Sequence, residues 1–335
     1  MRATHVTSPA VSIVVPVYNP GAFLGPLLAS LLDQTEPSLE IVAVDDGSTD
    51  GSGDLLREAA ARDPRLVHVS RANGGYAAAR NSGIDAARGR WIGFADSDDW
   101  LDPRTLQAWR EHGERHDLEV VLGNGFRFRG AATDAIAHTD ELVMKSRPPP
   151  GVFTGAEWMT HAVAQRSWLH FVWLQLIRRD VLVRGALRFN EGIVHEDVLW
   201  TLELGLCTQR MGYLDTPLYG YRIHGASFTH NRTVEMLGKR AASYLVIIRR
   251  LLDEADARPD DRPLQRALRR HAQRESYSFF WLIEHGALPD DMRRALVLEF
   301  QRQGFLPAMF QGVRGIVNGL RAVRCWTQLQ RCARF

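Results

Sequence analysis

Short apolar runs alternate with helix-like segments over the first 116 residues, and this alternation limits the possible folds more than any other feature. The segments between the runs carry apolar residues at helical spacing. Strict alternation of strand and helix predicts an α/β fold, a Rossmann-like and mostly parallel sheet with helices on both faces. Four runs are typical of buried strands: Val11–Tyr18, Glu40–Asp45, Leu66–Val69 and Trp91–Ala95.

Polar or aromatic residues end three of these runs. Pro16-Val17-Tyr18 ends the first, Asp45-Asp46 the second and Asp96-Ser97-Asp98-Asp99 the fourth. Ligands of such sheets bind outside the carboxyl ends of the strands. We therefore expect the three endings to meet at one crevice.

The acidic segment Asp96–Asp99 has two interpretations. Three neighbouring carboxylates repel one another unless a cation binds there. Continuation of the strand would place Asp96 and Asp98 on the same side, and such oxygen ligands suit Mg²⁺ or Mn²⁺ better than zinc. The alternative is an acidic turn before a helix that begins near Pro103. By itself the segment does not decide between metal site and turn.

Length and composition predict a globular protein with two domains, or one large domain with an appendage. The chain has 335 residues, of which 45% are hydrophobic and 24% charged. A net charge of +2 gives no strong attraction for nucleic acid, and no run of about 18 apolar residues indicates a transmembrane helix. The three cysteines form no CxxC pair, and Met1–Ala10 lacks the apolar core of a signal peptide. We expect a cytoplasmic protein.

Helical periodicity dominates from Thr233 onward. We therefore expect a first domain at residues 1–232 and a helical region at residues 233–335. Near the end of the chain, arginines lie between apolar residues at helical spacing, and no acidic residue follows Glu299. This pattern predicts a basic amphipathic helix for an anionic membrane surface, and the alternative is a helix packed on the domain with a solvated basic face. The apolar positions are Val313, Ile316, Val317, Leu320, Val323 and Trp326, and the arginines are Arg314, Arg321, Arg324, Arg331 and Arg334.

Four motifs follow one another in a set order. They are Pro16-x-Tyr18-Asn19, Val44-Asp45-Asp46-Gly47-Ser48, Asn73-x-Gly75-x4-Arg80-Asn81-x-Gly83 and Asp96-Ser97-Asp98-Asp99. Their order and spacing resemble the family 2 inverting glycosyltransferases with the GT-A fold, densely over residues 11–103 and at scattered positions over residues 173–232. The resemblance implies metal-dependent transfer of a sugar from a nucleotide-sugar, of the UDP type, to a hydroxyl of a glycan or lipid-linked acceptor. It also implies cell-surface polysaccharide biosynthesis at the inner face of the plasma membrane.

The resemblance assigns the nucleotide base to the first two strand endings. Pro16, Val17 and Tyr18 would line the base pocket, and Asp46 would accept a hydrogen bond from a uracil-type ring. A carboxylate can accept from a ring N–H, and a tyrosine offers a flat face. The alternative for Asp45 and Asp46 is an N-cap and turn pair. We expect Asp45 to have only that structural role.

The same resemblance assigns the sugar and the diphosphate to the acidic segment. Asp96 would contact the ribose, and Asp98 would bind the divalent cation on the diphosphate, either Mg²⁺ or Mn²⁺. Asp99 would either bind the same cation or belong only to the turn. Arg80 would lie on the nucleotide side, whereas the alternative is an arginine on the surface of a helix. The resemblance thus favours a metal site over a simple turn.

Inverting transfer also requires a base, because the acceptor hydroxyl loses its proton as it attacks the anomeric carbon. Glu196-Asp197, at a predicted helix start, matches the family's ED motif, and Asp197 is the position that resembles the base. The alternative is a carboxylate that binds the free N–H groups of the helix. Arg222, His224 and Ser227 match positions near the diphosphate. His224 would be a third metal ligand or a phosphate donor.

One position departs from the family pattern, and two other functions remain open. Gln175 stands two residues after Trp173, where the family often has lysine, so the cationic contact is absent or comes from elsewhere, for instance from Arg178.

A nucleotidyltransferase could combine the same kind of sheet with a carboxylate-bound metal. A non-catalytic nucleotide-sugar sensor could use the same fold.

Overall fold

The computed structural model describes residues 8–130, 141–168, 170–225 and 233–307, together with positions 319, 323 and 327. Ser227 and nearly all of the predicted basic C-terminal helix lie outside these residues. The chain divides into two compact units. The first comprises residues 1–158, 169–192 and 203–225, and the second comprises residues 159–168, 193–202 and 226–335.

Eight strands of the first unit form one mixed sheet. The strands are β1 (Val11–Val17), β2 (Leu39–Asp45), β3 (Leu66–Ser70), β4 (Trp91–Phe94), β5 (Trp100–Leu101), β6 (Val120–Phe128), β7 (Gln175–Arg178) and β8 (Met211–Arg222). Their order in the sheet is β3-β2-β1-β4-β7-β6-β8-β5. The four strands predicted from the sequence are present, with ends within one residue of the prediction.

The helices alternate with the strands over the first half of the chain and dominate the second. They are α1 (Leu24–Leu32), α2 (Ser52–Arg62), α3 (Tyr76–Ala86), α4 (Thr105–Arg115), α5 (Gly155–Ala164), α6 (Arg179–Arg184), α7 (Glu196–Cys207), α8 (Val234–Asp256), α9 (Arg262–His285) and α10 (Asp290–Arg302). Two 3₁₀ turns cover Gly21–Phe23 and Val172–Leu174.

The predicted parallel arrangement holds for the half of the sheet that carries the motifs. β3, β2, β1 and β4 are parallel neighbours, and every residue of β1 and β2 is buried, as expected for strands covered on both faces. The other half differs, because β7 is antiparallel to both β4 and β6. The sheet is therefore mixed but mostly parallel, and the predicted α/β class is confirmed.

Glycine in the third motif brings α3 close to the sheet. A Cβ atom added at Gly83 would lie 2.2 Å from Cγ1 of Val14 in β1. A larger side chain would push α3 away from β1, since an interior this dense cannot absorb such an overlap. The glycine thus positions Arg80, which lies one turn earlier on the same helix.

Two side chains cap the amino end of helix α5. The backbone N–H of Thr154 donates to the Glu157 carboxylate over 2.7 Å, and the backbone N–H of Glu157 donates to the Thr154 hydroxyl over 3.1 Å. This reciprocal pair is a capping box at the start of α5.

Helices α8, α9 and α10 belong to the second unit. Thr233 caps α8 by accepting from the N–H of Met236, and Asp261 caps α9 by accepting from the N–H of Leu264. The rings of Phe279, Phe280 and Phe300 pack together in the core of this unit, with centroids 4.9–5.3 Å apart. In the described part of the chain, no helix combines the length and apolarity needed to cross a membrane.

Candidate active site

Three strand endings meet at the carboxyl edge of the sheet, as predicted. Val17 and Asp45 are register partners across β1 and β2, and the N–H of Asp46 donates to the carbonyl of Val17 over 2.9 Å. On the other side of β1, the N–H of Ala95 donates to the carbonyl of Val14 over 3.0 Å. The side chain of Tyr18 follows β1 and is 46% exposed at this edge. The residues predicted to line a base pocket and the acidic segment therefore belong to one edge of the first unit.

The two aspartates Asp45 and Asp46, at the end of β2, have different roles. The Asp45 carboxylate accepts from the N–H of Ser48 over 2.9 Å, which is the turn role that we predicted for it. The Asp46 carboxylate is buried and accepts from the N–H groups of Gly74 and Gly75 over 3.0 and 2.7 Å. Nε of Arg71 lies 3.3 Å from the same carboxylate. Asp46 thus ties the loop before α3 to the end of β2.

The acidic segment is a turn and not a continuation of β4. The strand ends at Phe94, and the N–H of Asp99 donates to the carbonyl of Asp96 over 3.2 Å. Our expectation that Asp96 and Asp98 share a side through strand alternation is wrong, because the alternation stops before Asp96. Turn and ligand roles do not exclude each other here, since a turn can direct individual carboxylates in different directions.

Each carboxylate of this turn has its own partner. Asp96 accepts from Nη2 of Arg80 over 3.0 Å, and Oδ2 of Asp98 lies 2.7 Å from Nε2 of His224. Asp99 is fully buried. Its two oxygens accept from the Tyr219 hydroxyl and from the N–H of Arg222, each over 2.8 Å.

Burial separates Asp99 from the other two carboxylates. Burial, and then the negative charges of Asp98 and Asp96, raise the pKa of Asp99 well above its usual value, while the hydrogen bonds from Arg222 and Tyr219 oppose this rise. The side chain of Asp98 is 31% exposed and that of His224 is 15% exposed. Asp98 and His224 therefore come together at the partly exposed carboxyl edge, whereas Asp99 faces the protein interior.

No group of three His, Cys, Asp or Glu side chains is arranged to hold a metal within the residues that the structure describes. Asp98 and His224 form a pair of donor groups, one carboxylate oxygen and one imidazole nitrogen. Such a pair fits a divalent cation whose remaining ligands come from phosphate oxygens and water.

Arg222, at the end of β8, holds the acidic turn through its side chain as well as its backbone. Its Nε donates to the carbonyl of Asp98 over 2.7 Å, and its Nη1 donates to the carbonyl of Gly130. Burial lowers the pKa of Arg222, against the opposing effect of Asp99 and Asp98. The guanidinium group is thus largely engaged within the protein.

Sequence reasoning missed two residues of this edge. The ring of Phe23 lies 4.4 Å from the His224 imidazole and 5.3 Å from the Arg222 guanidinium carbon. The Tyr219 hydroxyl accepts from the N–H of Asp96 over 3.2 Å as it donates to Asp99. Phe23 stood in the sequence only as one apolar position of a helical stripe, and Tyr219 stood only within a strand. Neither position carried a local signal of its contact with the site.

Arg80 is buried, which excludes the alternative of a solvated arginine on a helix surface. Its guanidinium carbon lies 5.3 Å from the centre of the Phe189 ring and 5.7 Å from that of Tyr76. These faces hold the side chain while it pairs with Asp96. Arg80 thus orients the Asp96 carboxylate through this hydrogen bond.

Arg178 does not supply the positive side chain that the family often has as a lysine two residues after Trp173. Arg178 pairs in register with Trp91 at the amino end of β4, the opposite edge from Asp96. There it forms an ion pair with Asp180 at 2.7 Å and lines a cavity of 1120 Å³. Gln175, which stands at the lysine position, is buried in β7. Our suggestion that Arg178 replaces the lysine is therefore wrong.

Asp197 lies in the second unit, at the second position of α7. The helix begins at Glu196, so both carboxylates stand in its first turn, as the sequence predicted. The N–H of Val198 donates to the carbonyl of His195 over 3.1 Å and closes the turn before the helix. Negative charge is favoured at this end of a helix, because the free N–H groups point toward it.

The sequence model of the family described as Glycosyl transferase family 2 matches residues 12–173. YibD of Escherichia coli, named an uncharacterized glycosyltransferase, is 34% identical over 219 residues, which are 64% of this chain and 62% of YibD. This chain therefore spans less than two thirds of the length of that relative. EpsH of Bacillus subtilis, named a putative glycosyltransferase, is 33% identical over 243 residues, 71% of this chain and 67% of EpsH.

The fold has a counterpart among solved structures. Residues 1–349 of S. aureus TarS, crystallised with UDP-GlcNAc, superpose with a TM-score of 0.56 at 19% identity. The superposition covers 96% of this chain and 81% of that chain. At this identity the likeness concerns the fold, which is of the GT-A type that the motifs implied. With the motifs, the sheet and the sequence relatives in agreement, this chain belongs to glycosyl transferase family 2.

Proposed function

We propose that this protein transfers a sugar from a UDP-sugar to a hydroxyl of a glycan or lipid-linked acceptor, with inversion at the anomeric carbon, in cell-surface polysaccharide biosynthesis. Membership of the family supports glycosyl transfer. The UDP-GlcNAc bound to TarS, which shares the fold, supports the donor class. One observation of this chain carries the proposal: the pairing of Asp98 with His224, next to Asp96, at the carboxyl edge of the mostly parallel sheet.

In this proposal the donor base lies between Tyr18 and Asp46. Tyr18 follows β1 with an exposed ring that can stack on a flat base. Asp46 already accepts from two backbone N–H groups, but a carboxylate has about four acceptor positions and can share its oxygens with a ring N–H. Asp96, oriented by Arg80, would accept from the ribose hydroxyls.

Asp98 and His224 would hold Mg²⁺ or Mn²⁺ against the donor diphosphate. Their side chains converge within 2.7 Å, and both are partly exposed. A cation bound there supplies charge neutralisation for the leaving diphosphate. Asp99 lies behind this pair and, with Arg222, would keep the turn in place.

The proposed base is Asp197. Its place in the first turn of α7 favours the ionised carboxylate, which is the form that can accept a proton. The acceptor O–H would pass its proton to an Asp197 oxygen as the acceptor oxygen bonds to the anomeric carbon. The bond from that carbon to the diphosphate breaks in the same step, and the diphosphate leaves with the electron pair.

The test compares two adjacent carboxylates. We expect Asp197→Asn to lower turnover by a factor of roughly 10²–10⁴, the usual contribution of a general base, while binding of the nucleotide is unchanged. Glu196→Gln, the matched control at the same helix start, should turn over within about twofold of the wild type. The measurement is release of nucleotide from a panel of UDP-, GDP- and TDP-sugars with and without Mn²⁺, together with thermal stabilisation by each nucleotide.

Wild-type turnover by Asp197→Asn would exclude Asp197 as the base. A wild-type protein that is stabilised by UDP but releases no nucleotide from any donor, with or without metal, would favour the non-catalytic sensor instead.

A further inference from the structure

The turn that precedes α7 is attached to α8 by a buried hydrogen bond. The backbone N–H of Val194 donates to the hydroxyl of Ser243 over 2.8 Å. The same hydroxyl donates to the carbonyl of Lys239, one turn back in α8, over 2.7 Å. Ser243 is only 2% exposed. Because its hydroxyl both accepts and donates, this side chain defines the distance between α8 and the turn.

The next residue of the turn has a constrained backbone and a ring contact with α8. His195 has a φ of +65°, in the left-handed region, which is unfavourable for a residue other than glycine and persists only where the surroundings hold it. Its ring centroid lies 5.5 Å from that of Tyr244. Burial, and then the positive charge of Arg240, lower the pKa of His195, whereas the negative charge of Glu196 opposes this effect.

The negative charge of Asp197 also affects the pKa of Tyr244. Burial raises the pKa of the Tyr244 hydroxyl, and the negative charges of Glu275 and Asp197 raise it further. Ser243 thus binds the backbone of the turn at Val194. Its neighbour Tyr244 packs on the His195 ring and lies in the electric field of Asp197. All of these residues belong to the second unit.

We propose that Ser243 and Tyr244 are positioning residues that set the location of the Asp197 carboxylate for proton transfer. This inference rests on the proposed function, in which Asp197 is the base. A catalytic group displaced by about 1 Å can lose a factor of about 10² in rate, whereas the donor site is made of other residues and keeps its affinity. Loss of these contacts should therefore affect kcat and leave the donor KM unchanged.

The chain offers a matched pair of buried serines for the test. Ser276 of α9 is 1% exposed and donates to the carbonyl of Ala272 in its own helix over 2.9 Å, in the same way that Ser243 donates to Lys239. Ser243→Ala removes the contact with the turn as well, whereas Ser276→Ala removes only the bond within its helix. We measure kcat and donor KM for release of UDP from the best UDP-sugar of the panel, with water as acceptor, and the melting temperature of each full-length variant.

We expect Ser243→Ala to lower kcat roughly tenfold to hundredfold at an unchanged donor KM. Ser276→Ala should stay within about twofold of the wild type, and Ser243→Thr, which keeps a hydroxyl, should recover most of the rate. Equal kcat values for the two alanine variants, or a loss in Ser243→Ala that lies in KM, would overturn the inference.

The ring of Tyr244 gives a second measurement that does not depend on the folding of Ser243→Ala. Tyr244→Phe keeps the packing on His195 and should retain most of kcat, whereas Tyr244→Leu should lower kcat at an unchanged KM. Equal activity of the leucine and phenylalanine variants would contradict the positioning role. Asp197→Asn in the same assay separates the two proposals. If Asp197→Asn is inactive while Ser243→Ala and Tyr244→Leu have normal activity, only the positioning role fails. If Asp197→Asn is fully active, the assignment of Asp197 as the base fails as well.

Discussion

At the scale of single residues, neighbouring carboxylates of one turn have different environments. Asp98 is partly exposed beside His224, and Asp99 is fully buried between Tyr219 and Arg222. The two residues have the same chemistry and adjacent positions. Their roles therefore differ through contacts alone, and paired amide substitutions can separate these roles.

Asp98→Asn and Asp99→Asn should have opposite effects on stability and metal dependence. Asp98→Asn removes a partly exposed carboxylate that we propose as a metal ligand, so we expect loss of Mn²⁺-dependent turnover with a change in unfolding free energy within about 0.5 kcal/mol. Asp99→Asn turns an amide N–H₂ toward a buried donor, which should cost about 1–3 kcal/mol of stability. Urea unfolding and metal titration of the nucleotide-release reaction measure the two quantities. A stable Asp99→Asn variant that no longer responds to Mn²⁺ would assign the metal to Asp99 instead.

At the scale of elements, α9 buries the ionisable side chain of Glu275 in the second unit. Burial raises the pKa of Glu275 from 4.5 to about 7, and only the positive charge of Arg274 opposes this rise. Oε1 of Glu275 lies 3.5 Å from Nε2 of His271, and the Trp168 ring packs on His271 with centroids 4.4 Å apart. The helix thus holds a carboxyl group that remains protonated in the folded protein under conditions that ionise it in the unfolded chain.

This burial makes stability depend on pH between about 4.5 and 7. Between these values the folded protein keeps the Glu275 proton and the unfolded chain releases it, so rising pH favours unfolding. The stabilising contribution is complete below pH 4.5 and lost above pH 7, and its size is on the order of 3 kcal/mol. We expect the difference in unfolding free energy between the wild type and Glu275→Gln to change by up to this amount between pH 4.5 and 8.

Urea unfolding at several pH values measures this difference, and Glu235→Gln serves as the control. Glu235 is an exposed carboxylate at the start of α8 in the same unit, so its variant should follow the wild type at every pH. A Glu275→Gln curve parallel to that of the wild type would show that Glu275 ionises normally.

At the scale of the whole molecule, positive charge is concentrated at the end of the sequence. Six arginines and no acidic residue follow Glu299, and five of these arginines, from Arg314 onward, lie outside the described residues. The membrane-binding proposal for this segment rests on its sequence pattern. It concerns where the protein acts, and it can be tested without knowledge of donor or acceptor.

Replacing Arg314, Arg321 and Arg324 by glutamine in the full chain should release the protein from anionic vesicles. Each basic residue near such a surface contributes about 1 kcal/mol, so we expect binding to weaken by a factor on the order of 10². Sedimentation with vesicles of phosphatidylglycerol, compared with phosphatidylcholine, measures the change. A triple variant at Arg57, Arg62 and Arg104, exposed arginines of the first unit, is the matched control. Equal binding of the two triple variants would contradict the proposal.

The sequence by itself determined the features that depend on local periodicity and short-range chemistry. Alternating β-branched runs and helical stripes identified the α/β sheet and its carboxyl edge. Four ordered motifs identified the family. Each of these signals lies within a few residues of the structure that it predicts.

The tertiary structure alone decided which functional groups face one another. Asp99 meets Tyr219 across 120 positions of sequence, and Asp98 meets His224 across 126. Antiparallel insertion of β7 placed Arg178 at the wrong edge for the site, and this could not be read from its spacing to Trp173. Local sequence sets the backbone conformation of each segment, but burial and partner depend on segments far along the chain. This is why the acidic turn could be located from the sequence, whereas the roles of its three carboxylates could not be separated without the fold.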